Sequence, residues 1–288
     1  MNTETSAPVK DDDDSPIKVW RSRFREDFQF VPGIWLPGLA GSLGACVHQF
    51  TIKLPRRLYF WGRGLVTGPK VVPGPLQAPE EVPQPPVLRR TGRWLVFAFL
   101  RTFDLVSGGE LINFVEHLAK PNTRRLTETE IAEAKRVFGD GLPYGRVRID
   151  EWSLIAHYGA WDYRRRRKKQ AKDMAMTIYN TVHFSRRLNT GPGESDMDWL
   201  VHELTHIAQH EHAGGVFMAE SLIAQGGQGY DYGGPDALAG RDFADFNREQ
   251  QGDIAKDYYR ILTNDKTVTD PERAEYERVI DQLRSGNI

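Results

Sequence analysis

Read as a pattern of apolar and polar positions, the chain changes character twice. Residues 30–52 carry no charged side chain, but Pro32, Gly33, Pro37, Gly38, Gly41 and Gly44 interrupt the run. A spanning helix wants about 20 mostly apolar residues without such breaks. An irregular, partly buried segment is therefore expected there, without membrane contact. Residues 68–88 hold seven prolines and read as a stiff, extended linker of polyproline-II character. Beyond it, Trp94 to Val106 is strongly apolar and Glu110 to Leu118 is amphipathic, which predicts two packing helices. Thr127 followed three residues on by Glu130 is a capping box, so a helix should run to about Phe138, where Gly139 stops it. Val147-Arg148-Ile149 predicts a short strand. Met176 to Phe184 has β character through Ile178, Tyr179, Val182 and Phe184. Leu200, Leu204 and Ile207 recur at helical spacing, with Ser195 placed to cap that helix and Gly214-Gly215 to end it.

Composition makes a packed core feasible: of 288 residues, 40% are hydrophobic and 27% charged. The expected division is an acidic disordered tail at 1–16, an N-terminal segment of unknown fold at 17–67, the proline-rich linker at 68–90 and one main domain at 91–288. A net charge of −1, from 38 basic and 39 acidic residues, gives no global attraction to nucleic acid. The basic block 164–169 reads as a solvated loop rather than a nucleic-acid patch. The lone Cys46 excludes an internal disulfide and a Cys-rich metal site, so any metal must be held by His and carboxylate. The first sixteen residues contain Asp11 to Asp14 and no apolar run, unlike a Sec-type signal peptide. Synthesis in the cytoplasm is expected, with any export left to a dedicated machine.

The candidate chemistry lies in His202-Glu203-Leu204-Thr205-His206. Imidazoles four residues apart differ by about 40° around a helix and can reach one ion. Glu203 stands beside them, where its carboxylate can take a proton from a water acidified by the metal. A third ligand must follow, and four residues qualify. His212 has metzincin spacing, but Gln209 occupies the position where that class turns on glycine. His210 drifts further around the same helix. Glu220 can return on a second helix. Glu249 opens Glu249-Gln250-Gln251-Gly252-Asp253, of the form in which gluzincins supply a glutamate ligand, with an aspartate that orients a zinc histidine. Tyr230 and Tyr232, in a Gly-rich stretch at 226–234, are candidate oxyanion donors.

The order Leu126-Thr127-Glu128-Thr129-Glu130, Val147-Arg148-Ile149, Tyr179 to Phe184, His202 to Gln209 and Phe246 to Gln251 resembles the zincin-like domains found with VgrG, Rhs and type VI secretion proteins. The resemblance covers about residues 124–262. It implies an α+β zincin-like metallopeptidase fold, helix-rich, with a small sheet and an edge strand before the HExxH helix, the place Tyr179 to Phe184 would take. It also implies Zn2+ on His202, His206 and Glu249, with Asp253 behind them and Glu203 as the base. The substrate would be a peptide or protein, and the partner a VgrG-like or Rhs-like secretion component. Two other readings follow: a non-catalytic structural or adaptor part of the secretion apparatus, and a zinc amidase acting on cell-wall peptides.

Overall fold

The computed structural model describes residues 32–67, 87–120, 123–167, 173–190, 196–227 and 229–288. The acidic tail, most of the proline-rich linker and the Ser195 cap lie outside them.

The segment expected to be irregular is instead one helix, α1 (Pro32–Thr67). Pro32 sits at its first position, where the missing N–H has no partner to lose. Pro37 and Pro55 each remove one backbone hydrogen bond. Packing along α2 (Val87–Leu105) and α3 (Gly108–Ala119) offsets that loss, a tertiary contribution that the local sequence does not carry. Because α2 starts at Val87, the last four residues of the expected linker belong to its first turn.

The capping box forms as expected. The Thr127 hydroxyl accepts from the Glu130 N–H at 3.1 Å, and the Glu130 carboxylate accepts from the Thr127 N–H at 2.8 Å. Helix α4 (Glu128–Phe138) follows and ends on Gly139, whose φ of 55° suits a residue without Cβ. Strand β1 (Arg148–Glu151) leads to α5 (Leu154–Arg167). Arg164 to Arg167 therefore form a last helical turn and not a loop. Arginine is a good helix former, and the Arg165 guanidinium lies 5.3 Å above the Trp161 ring.

The stretch Met176 to Phe184 is a hairpin, β2 (Ala175–Ile178) and β3 (Thr181–Phe184). In the sheet order β1-β3-β2, β3 is the middle strand, parallel to β1 and antiparallel to β2. The edge strand beside the HExxH helix is thus β2, a correction to the expected Tyr179 to Phe184. The reversal falls on Tyr179, which holds a left-handed φ of 51°. Its buried ring lies where a Cβ on Gly109 would stand (2.6 Å away), with His210 edge-on at 4.9 Å. That packing outweighs a backbone cost of about 1–2 kcal/mol.

Helix α6 (Asp196–Ala213) carries the HExxH motif and ends at Gly214, φ 76°. Helix α7 (Val216–Gly226), two short 3-10 turns, α8 (Arg248–Leu262) and α9 (Asp270–Ser285) complete a helix-rich α+β chain. The main core lies between α6 and α8. Leu200, Leu204 and Ile207 meet Ile254, Ala255 and Tyr258 there, closed by Phe138, Val182 and Tyr276. Burying each large aliphatic contributes about 1.5–3 kcal/mol, so the two helices that carry the candidate ligands are also the best-anchored ones.

Candidate metal centre

Helix α8 is started by Asn247. Its side-chain oxygen accepts from the Glu249 and Gln250 N–H groups, each at 3.0 Å, and Gln250 answers on the Asn247 N–H at 3.0 Å. This fixes Glu249 in the first turn, where the positive end of the helix favours an anion. The carboxylate faces α6. Glu249 Oε2 lies 3.6 Å from His202 Nε2, and Glu249 Oε1 lies 3.7 Å from His206 Nε2. Ligand atoms of the three buried residues all lie within 4.8 Å of one another. Donors at about 2.0–2.2 Å around a tetrahedral zinc stand about 3.3–3.5 Å apart, so the two Glu249–His separations fit such an ion with a small contraction. Nitrogen and carboxylate donors without thiolate suit the same ion.

The opposite ring nitrogens are both engaged. His202 Nδ1 meets Asp253 Oδ1 at 3.0 Å, and His206 Nδ1 meets Gln209 Oε1 at 2.8 Å. A donor at each Nδ1 leaves Nε2 as the metal-facing atom. Gln209 is held in turn, donating to the Arg248 carbonyl and to Gln251 Oε1, both at 2.9 Å. Gly252 completes the seat, since a Cβ there would stand 2.6 Å from His202 Cε1. Burial alone would push the His202 imidazole down, but Asp253 and Glu249 outweigh it and raise the group to about 10. Glu249 is pushed up by burial and pulled further down by His206 and His202, to about 2. The carboxylates that hold a proton on His202 would equally attract a metal cation, whose binding would release that proton.

Glu203 is buried beside the cluster and outside the ligand set. The Thr177 hydroxyl, on edge strand β2, donates to Glu203 Oε2 at 2.7 Å, which leaves the second carboxylate oxygen as the open acceptor.

The structure does not bring the other ligand candidates together with this set. The Glu220 carboxylate accepts from Arg248 Nε at 2.6 Å. His212 faces Arg56, whose guanidinium also donates to the His212 carbonyl at 3.0 Å. His210 packs against Tyr179 and Phe217, and burial pushes it down to about 4. The two tyrosines separate. The Tyr230 ring centroid lies 5.8 Å from that of His202, and burial together with the charges of Glu249 and Glu203 pushes its phenol up. Tyr232 instead hydrogen-bonds Asp257 and Tyr276 in the core, which corrects its expected place at the site. Two contributors lie beyond the motif readings, Thr177 and Gln209. The second had a signal, being three residues after His206 on the same helix face.

The chain is similar to a spike protein of a type VI secretion system. That protein, VgrG2b of Pseudomonas aeruginosa, is 32% identical over 145 residues, a stretch covering 47% of this chain and 13% of the spike protein. No family model matches the chain, and no solved structure matches it.

Proposed function

We propose that the chain is a zinc-dependent metallopeptidase with a zincin-like fold over about residues 91–288, working with a type VI or related secretion system. The observation that carries the reading is the convergence of His202, His206 and Glu249, with Glu203 beside them and outside the ligand set. Zinc in such a set polarises a carbonyl oxygen and acidifies a water. The protein's own groups supply the rest. Glu203, oriented by Thr177, accepts the water proton at its free carboxylate oxygen and can return it to the leaving amine. Among the described residues, strand β2 pairs with β3 on one side only, so its other edge can take an extended peptide by strand addition. Tyr230 keeps its proton, because its phenol is pushed up, and can donate to a developing oxyanion. The similarity to a spike protein favours a VgrG-like partner, and it also favours a second reading, a structural component with the same metal centre.

The test combines metal analysis with digestion of a peptide library. Protein purified without chelators should hold about one zinc per chain. Glu203→Gln should retain the metal and lose about 10²–10⁴ or more in hydrolysis rate. A variant as fast as wild type would refute the base assignment. Metal without any cleavage in the wild type would leave the structural reading.

A further inference from the structure

A cavity of about 140 Å³ lies between α3 and the starts of β1 and β3, and none of the three candidate metal ligands lines it. Its basic wall follows from local pairing. Arg124 and Ile149 form an antiparallel bridge: the Arg124 N–H donates to the Ile149 carbonyl at 2.9 Å, and the Ile149 N–H donates to the Arg124 carbonyl at 2.8 Å. That register sets Arg125 opposite Arg148, and like charges opposite one another on one face repel. Both residues line the cavity. Arg148 is half-buried, and among the described residues its guanidinium donates only to the Val147 and Gly145 carbonyls, at 3.2 and 3.5 Å. Arg125 is exposed, and among the described residues neither guanidinium meets a carboxylate. Burial, and after it the Arg125 charge, lowers the Arg148 pKa to about 10. The other charges of the wall are matched. Arg146 binds Glu211 at 3.0 Å, Glu110 binds Arg57, and Glu116 Oε1 lies 3.3 Å from His183 Nε2. Burial alone would lower the His183 pKa, but Asp150 and Glu116 outweigh it and raise the group. The cavity is therefore left with the two positive charges of Arg125 and Arg148. Asn180, more than nine-tenths buried, also lines it. Its backbone N–H donates to Asn113 Oδ1 at 3.2 Å and its carbonyl accepts the Arg148 N–H at 2.9 Å, while its side-chain amide makes no hydrogen bond among the described residues. A buried amide of this kind is costly unless something pairs with it.

We propose that this cavity binds a small oxyanion, the carboxylate or phosphate group of a low-molecular-weight ligand, held by Arg125 and Arg148 with the Asn180 amide as a further donor. This inference stands apart from the metal centre. Guanidinium groups present paired N–H donors that match the oxygens of either group, and an anion between the two arginines removes the repulsion that the register builds in. The space sets the size. A cavity of about 150 Å³ takes a molecule as large as benzene, so an anion of roughly six non-hydrogen atoms fits here.

The test is titration calorimetry of the full chain with sodium phosphate and, separately, with sodium acetate, each beside sodium chloride of equal ionic strength. One saturable site is expected for phosphate or acetate, and the tighter of the two assigns the group. Arg125→Gln and Arg148→Gln should each weaken binding by more than tenfold. Asn180→Asp keeps the size of the side chain and adds a negative charge to the wall, so it should abolish binding. Arg273→Gln, at an exposed position on α9, should leave the affinity unchanged. Helical content is measured for every variant, and Arg125→Gln, being exposed, decides if Arg148→Gln unfolds. No saturable binding of either anion, or an effect that chloride reproduces, would overturn the proposal. So would full affinity in Arg125→Gln, which would move the anion to another site, the metal centre included.

Discussion

Each candidate imidazole ligand is aimed by a neighbouring polar side chain. Asp253 and Gln209 hold the two imidazoles through Nδ1, and Gly252 lets the His202 ring lie flat on α8. Glu249→Ala should therefore lose most metal affinity, while Glu220→Ala and His212→Ala should keep it, because those side chains serve Arg248 and Arg56. Asp253→Ala, Gln209→Ala and Gly252→Ala should each weaken binding by about 10–100-fold. A chelator competition ranks all six variants, and a Gly252→Ala protein with unchanged affinity would show that the ring has room to move. Most of this centre was legible as sequence. The four-residue His spacing and the acid four residues after Glu249 are helix geometry written into the chain. Thr177 was not legible, because it arrives from a different element through the sheet.

At the scale of elements, the region where helix α6 gives way to α7 is held from outside by α2. Asp104 Oδ2 accepts the Gly215 N–H at 2.7 Å, and Arg101 donates to the Ala213 carbonyl. Burial pushes Asp104 up to about 6, against the counter-pull of the Gly215 N–H and Arg101. An acid raised in the folded state ionises first in the unfolded chain. Stability should thus fall as pH rises from about 4 to about 6, by on the order of 3 kcal/mol, and stay lower above that. Asp104→Asn keeps an acceptor for Gly215 and removes the charge. It should flatten this pH dependence in denaturant titrations and leave metal binding intact; an unchanged slope would place the titrating group elsewhere. Helices α2, α3 and α4 and the end of α6 were legible from periodicity and caps. Helix α1 was not, because its proline and glycine content argues against a helix that neighbouring helices stabilise. The hairpin was hidden for a related reason, since its turn rests on a tyrosine with positive φ, held by Gly109 and His210.

For the whole molecule, the metal centre and helices α1 to α3 occupy separable parts. The main core contains no residue before Leu126, and all three candidate ligands come from α6 and α8. Helix α1 reaches this part through Lys53 to Glu211 at 2.7 Å and Arg56 to the His212 carbonyl at 3.0 Å, while Arg57 binds Glu110 on α3. Without α1, Glu211 still has Arg146 at 3.0 Å, so the end of α6 is not left with an unpaired buried carboxylate. Removal of residues 1–85 should therefore give a folded fragment that binds one metal with near-native affinity and melts somewhat lower. Calorimetry and metal titration on the one fragment separate the outcomes. A fragment that aggregates without metal would make α1 part of the fold that supports the centre. A fragment that keeps its metal and only melts lower would place the centre wholly on the elements after residue 85.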